Sequence, residues 1–189
     1  DHGYLHLSLV SRLSREIMLK LGYNERLAEL AGIAGYMHDL GNVINRNGHS
    51  QSGALIAQEI LRRMGMDISE VAIICAAIGN HDEGSGHSVN QVAAALILAD
   101  KSHVHRNRVR NLDVATFDIH DRVNYAAEYS ILNIDDDNRI ITMELAIDTS
   151  ICPVMEYFEI FLSRMLMCRR AANFLNCEFE LVINGAKLL

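Results

Sequence analysis

The chain has 189 residues, half of them apolar and 22% charged, with a formal net charge of −7. That size suits one domain, or one domain with a small appendage, and no apolar run is long enough to span a bilayer. The acidic balance excludes a general binder of nucleic-acid polymers, which needs a basic face against phosphates, but leaves room for a small phosphorylated substrate held by a metal.

One proline, Pro153, leaves long helices undisturbed through most of the chain. Residues 5–21 repeat Leu9, Leu13, Ile17 and Leu21 at helical spacing, and Gly22 stops the run. Asn24 is placed to cap a second helix carrying Leu27, Leu30, Ala31, Ala34 and Met37, which ends at Gly41. Residues 45–48 read as a turn, followed by a third helix with Ile56, Ile60, Leu61 and Met64 inward and Gly65 beyond its end. Asp67 with Glu70 resembles a capping pair before a fourth helix over 71–79. Residues 84–87 form a loop, and a fifth helix covers 91–101.

The texture changes after about residue 124. Residues 129–134 and 139–147 are rich in branched side chains and flank 135–138, a hairpin signature. A long apolar helix follows at about 154–175, and 178–183 alternates as a third strand. The expected fold is mainly α: a helical bundle over 1–125, with an α/β appendage over 126–189 made of about three strands and one long helix.

The histidines matter by position more than by number. His38 and Asp39 sit together at the end of an otherwise apolar helix, where an unpaired buried charge is costly. A metal ion would remove that difficulty by binding imidazole and carboxylate directly; a cap or an ion pair with an arginine would also do so. His6 lies on the first helix, one turn after His2 and on the same face. His49 opens the third helix, His81 and Asp82 end the fourth, and Asp100 interrupts the apolar run of the fifth. Five helices each offer a ligand-type side chain, and a bundle can bring such positions to one place.

The order His…His-Asp…His…His…Asp resembles the HD superfamily of metal-dependent phosphohydrolases. The resemblance rests on His6 with the Leu-Ser-Leu-Val-Ser-Arg-Leu after it, on His38-Asp39-Leu40-Gly41, on His49-Ser-Gln-Ser-Gly-Ala and on Ala99-Asp100-Lys101. The Asp1-His2-Gly3 start and the α/β tail are similar to a bacterial subgroup of that family. The resemblance implies an HD-domain bundle with two divalent transition-metal ions (Fe, Mn, Co, Ni or Zn). His6, His38, Asp39 and Asp100 would bind the first, and Asp39 would bridge to a second held by His49 and His81. It places the chemistry at His38 and Asp39, with Asp82 and Lys101 as further catalytic candidates, and implies metal-activated water attacking a phosphate ester or anhydride of a small substrate, expected to be a nucleotide. His2 and Asp82 are extra ligands or supporting groups on this reading, and a surface imidazole and a helix-end carboxylate on the plainer one.

The lysine that many members of the family carry after HD-x-Gly is replaced by Asn42; Lys101, or one of Arg46, Arg106, Arg108 and Arg110, could supply the charge for a phosphate instead, the plainer reading of the arginine run being a solvated loop. That loss keeps a di-iron oxygenase in play, and a regulatory module that binds ligand without turnover is the other alternative. His87, His103, His105 and His120 fall outside the motif, with His103 and His105 read as surface residues. Cys75, Cys152, Cys168 and Cys177 form no Cys-x-x-Cys pair, and no secretory signal is evident, so a reducing cytoplasm is expected. An exposed strand edge at 140–145 would pair with its copy in a homodimer.

Overall fold

A computed structural model describes residues 3–104 and 119–188, the side chains of 119–121 excepted. His2, His105, Arg106, Arg108 and Arg110 lie outside the described residues, as does the His120 side chain.

Helix α1 (Tyr4–Lys20) buries His6, Val10, Ser14, Ile17 and Met18. Leu9 and Leu13, expected on the inner stripe, are only half-buried. The buried line runs one residue further round, through His6 and Ser14, polar residues that an apolar pattern does not register. Helix α2 (Glu25–Met37) starts where Asn24 accepts a hydrogen bond from the Leu27 amide at 2.8 Å, satisfying a donor that has no partner within the helix. Glycines bring α1 and α2 together. A Cβ on Gly35 would sit 2.8 Å from Ser11 Cα, and the Ser11 hydroxyl donates to the Gly32 carbonyl at 2.7 Å.

A short 3-10 turn, Leu40–Val43, links α2 to helix α3 (His49–Arg63). Gly41 seats one against the other, since a Cβ there would overlap the His49 carbonyl oxygen and lie 2.7 Å from Gly53 N. Helix α4 (Ile68–Gly79) opens at Asp67, whose carboxylate accepts from Ser69 N at 2.8 Å. Glu70, expected to complete a capping pair, instead accepts two 2.7 Å bonds from Arg26. Helix α5 (Gln91–Ser102) is buried from Val92 to its last residue. A helix without a solvent face needs cover all round, and α1, α2 and α4 supply part of it.

The C-terminal segment runs α6 (Ile119–Ala126), β1 (Ala127–Asp135), β2 (Ile140–Ile147), α7 (Val154–Phe174), β3 (Glu178–Ile183) and β4 (Ala186–Lys187). The strands form one sheet in the order β1-β2-β3-β4. The hairpin is as expected, but β3 returns through α7 to pair parallel with β2. Short α6 and the two-residue β4 were not anticipated. Because β2 lies between β1 and β3, its edges are both taken. Self-pairing through residues 140–145, the basis of the expected homodimer, is therefore blocked.

Met143 and Leu145 of β2, Phe179 and Leu181 of β3, and Tyr157, Phe161, Met165 and Cys168 of α7 join the bundle interior in one apolar core. Helix α7 packs directly on α5 and, with β1, adds to its cover. The fold is thus a helical bundle carrying a small α/β segment. No described helix is long and apolar enough to cross a membrane. All four cysteines are free.

Candidate metal centre

The ends of α2, α4 and α5 and the starts of α1 and α3 meet at one point. His38 follows the last residue of α2 and its Nδ1 lies 2.8 Å from the Gly35 carbonyl. His81, two residues beyond α4, repeats the device with the Ile78 carbonyl at 2.7 Å. His49, the first residue of α3, does the same with the Arg46 carbonyl at 3.0 Å. A carbonyl oxygen only accepts, so each Nδ1 carries the proton. In the neutral ring the lone pair then sits on Nε2, the arrangement metal-binding histidines show.

The Nε2 atoms point inward. Those of His49 and His81 are 3.1 Å apart. With both Nδ1 atoms protonated, that contact sets two lone pairs against each other, which favours a cation between them; Arg46 Nη1, 3.4 Å from His49 Nε2, brings a positively charged donor of the chain's own to the same atom. Two nitrogens each about 2.0–2.1 Å from one ion, as in zinc sites, are about 2.8–3.4 Å apart at angles from square to tetrahedral. His38 Nε2 is buried and has no hydrogen-bond partner among the described residues. The nearest carboxylate oxygens are Asp100 Oδ1 at 3.6 Å and Asp39 Oδ2 at 3.7 Å.

The other members complete the set. Asp39 Oδ1 is 3.6 Å from His49 Nε2, and Asp100 Oδ1 is 3.3 Å from His6 Nε2. Among the described residues, three clusters have ligand atoms mutually within 4.8 Å: His6, His38 and Asp39; His38, His81 and Asp100; Asp39, His49 and His81. All six residues anticipated as ligands therefore come together, and Asp39 belongs to two of the clusters. Asp82 stands outside all three, half-buried, with its charge acting on His49.

Electrostatics follow from this crowding. Burial, aided by the nearby His38, pushes His81 down to about 3, and burial with the Arg46 charge lowers His49. Burial also opposes a charge on His38, but the nearby Asp100 carboxylate, with Asp39, outweighs it and raises its pKa. Burial opposes the charge on Asp100 too; Lys101, His38 and His6 overcome it and hold the carboxyl well below its usual range. The field that draws a proton to His38 Nε2 equally favours a metal cation there. Donor type, tautomer and spacing all fit a divalent transition metal.

Two residues supporting this set were not picked out by sequence. His103, read as a surface residue, is half-buried, with its Nδ1 2.8 Å from His6 Nδ1 and its ring stacked at 5.1 Å. With His6 as donor in that contact, His6 also turns its Nε2 lone pair inward. The second is Arg164 of α7, which lines the cleft over the cluster together with Arg46, Lys101, Asp39, His49, His81 and Asp100. Lys101 is buried, 2.7 Å from Asp100 Oδ2. The available signal for Arg164 was its place on the apolar stripe of Tyr157, Phe161 and Cys168, a charge on an otherwise buried face.

The HD-domain family profile matches residues 3–125. No curated protein matches the chain. With about two thirds of its length inside that match and the His and Asp clusters in place, the chain belongs to the HD-domain family, whose members bind divalent metals and are generally metal-dependent phosphohydrolases.

Proposed function

We propose that the protein is a phosphohydrolase that cleaves a phosphate ester or anhydride of a small substrate, a nucleotide being the leading class. The observation carrying this is the set of buried imidazoles fixed through Nδ1 and turned through Nε2 toward two carboxylates. His6, His38, Asp39 and Asp100 would hold one divalent ion, and Asp39 would be shared with a second at His49 and His81. Such ions supply Lewis-acid chemistry, lowering the pKa of a bound water and offsetting phosphoryl charge.

The chain's own residues do the rest. The backbone carbonyls of Gly35, Arg46 and Ile78 lock three rings in one tautomer, so no reorganisation is needed when substrate arrives. Arg46 takes the place of the family's lysine as an anion anchor. Its Nη1 is held 3.3 Å from Asn42 Oδ1 and 3.7 Å from Asp39 Oδ1, so Asn42 aims the arginine instead of contacting phosphate itself. Lys101 balances Asp100 and brings a second positive charge to the cleft. A cleft lined by Arg46, Lys101 and Arg164 suits an anionic phosphoryl group, or the phosphonate of an oxygenase, better than a neutral polyol.

The test is hydrolysis of a panel of phosphorylated metabolites with Mn, Co or Ni, comparing wild type with Asp39→Ala. Turnover that the substitution abolishes supports the reading and names the substrate class. Equal turnover in both proteins refutes it, and no turnover by wild type on any phosphate refutes hydrolysis in favour of a regulatory module or an oxygenase.

A further inference from the structure

Helix α7 lies outside the stretch that matches the HD-domain family, yet one of its side chains reaches the cleft. Arg164 falls on the buried face of α7, seven residues after Tyr157 and three after Phe161. Its Nε donates to Glu83 Oε1 at 2.9 Å, and its guanidinium carbon stands 4.5 Å from the centroid of the Phe161 ring. Ser163, its neighbour, donates to the other Glu83 oxygen at 3.4 Å. The carboxylate and the ring fix the plane of the fork from two sides. Among the described residues, the two terminal nitrogens make no hydrogen bond, so a planar pair of donors is held ready at the cleft. Glu83 also lies 3.8 Å from Lys101 Nζ, and Lys101 contacts Asp100. A run of alternating charge thus joins α7 to the carboxylate beside the histidines.

We propose that Arg164 is a substrate-binding residue and that the site is composite, with the C-terminal segment supplying the group that recognises a terminal phosphoryl. This rests on the phosphohydrolase reading above. A fork oriented through Nε and open at both Nη atoms fits two oxygens of one phosphate, which the single point charge of a lysine does not. Arg46, Lys101 and Arg164 together match a group with three free oxygens and nearly two negative charges, as a monoester or a chain-ending phosphate carries near neutral pH. A diester, with one charge and two free oxygens, leaves part of this set unused. The substrate class is therefore a terminal phosphate, not an internal diester linkage.

The experiment is calorimetric titration of the manganese-loaded full chain with inorganic phosphate, with dimethyl phosphate as the singly charged comparison. Arg164→Ala should weaken phosphate binding by about 10- to 100-fold, the loss of charge-assisted hydrogen bonds, while manganese content and the weaker dimethyl phosphate binding stay as in wild type. Arg164→Lys, which keeps the charge and can still pair with Glu83, should recover only part of the affinity, and it serves if the alanine variant fails to fold. A lower melting temperature with unchanged phosphate affinity in both variants would mean that Arg164 only docks α7, and overturns the proposal. Wild type that binds manganese but not phosphate would overturn the phosphohydrolase reading as well, so the two failures are told apart.

Discussion

Replacing His49 by alanine tests the lone-pair argument where it is most specific. In the folded chain the Nε2 atoms of His49 and His81 face each other at 3.1 Å, each ring held by a backbone carbonyl at its other nitrogen. If that arrangement exists to hold a cation, metal binding must stabilise the fold through it. At a free metal concentration one hundred times Kd, one site adds about 2.7 kcal/mol to stability. Losing a direct ligand weakens a site by about 100-fold or more, at least as much as losing an outer partner. The contribution of the Asp39, His49 and His81 site then falls to about 0.4 kcal/mol. For a chain of 189 residues, that loss of about 2.3 kcal/mol removes about 5–9 °C from the metal-induced rise in melting temperature. The assay is thermal melting with and without manganese or nickel. Reading the shift and not the absolute temperature cancels the packing lost with a buried side chain. His87→Ala, at an exposed histidine, should keep the full shift. A His49→Ala protein with the wild-type shift would refute the reasoning.

Two further substitutions probe what supports the cluster. His103→Ala removes the partner of His6 Nδ1 and should lower metal affinity by about 10- to 100-fold in chelator competition; unchanged affinity would show the 2.8 Å contact to be incidental. Gly41→Ala forces a methyl group into the His49 carbonyl and should destabilise the fold by about 1–3 kcal/mol in urea unfolding, with a near-neutral result meaning that the 3-10 turn yields easily.

What the sequence made legible was whatever breaks a local pattern. Asp100 within an apolar run and His38 with Asp39 at the end of another stand out because a buried charge needs a partner wherever the helix lies. Asn24 and Asp67 could be assigned to caps because capping acts over two or three residues. The parallel pairing of β2 with β3 was not legible. Alternation along a strand says which face is buried but not which strand lies beside it, and here the neighbour comes from 38 residues further on, Ile140 facing Glu178. His103 failed for a similar reason: its position one residue beyond α5 looked exposed, whereas α1 packs beside α5 and brings His6 to it. The inner line of α1 was right at Ile17 and Leu21 but misplaced over its first half, where Leu9 and Leu13 are only half-buried, because two members of the buried line, His6 and Ser14, are polar.

The burial of α5 ties the C-terminal segment structurally to the candidate metal cluster. The helix has no solvent face from Val92 to Ser102, and α7 packs on it along with α1, α2, α4 and β1. Asp100 and Lys101 are consecutive on its last turn. Their side chains meet at 2.7 Å, yet Asp100 reaches the histidines through Oδ1 while Lys101 reaches toward Glu83, the partner of Arg164. Consecutive helix residues point about 100° apart, so one rigid turn serves two neighbourhoods at once. Moving α7 would uncover the apolar length of α5 and also disturb the balance of charge around Asp100. A buried carboxylate is tolerated there only while its cations stay in place. The helix that packs on this core therefore also bears, through Arg164 and Glu83, on Lys101, one of the groups that hold the Asp100 carboxyl well below its usual range.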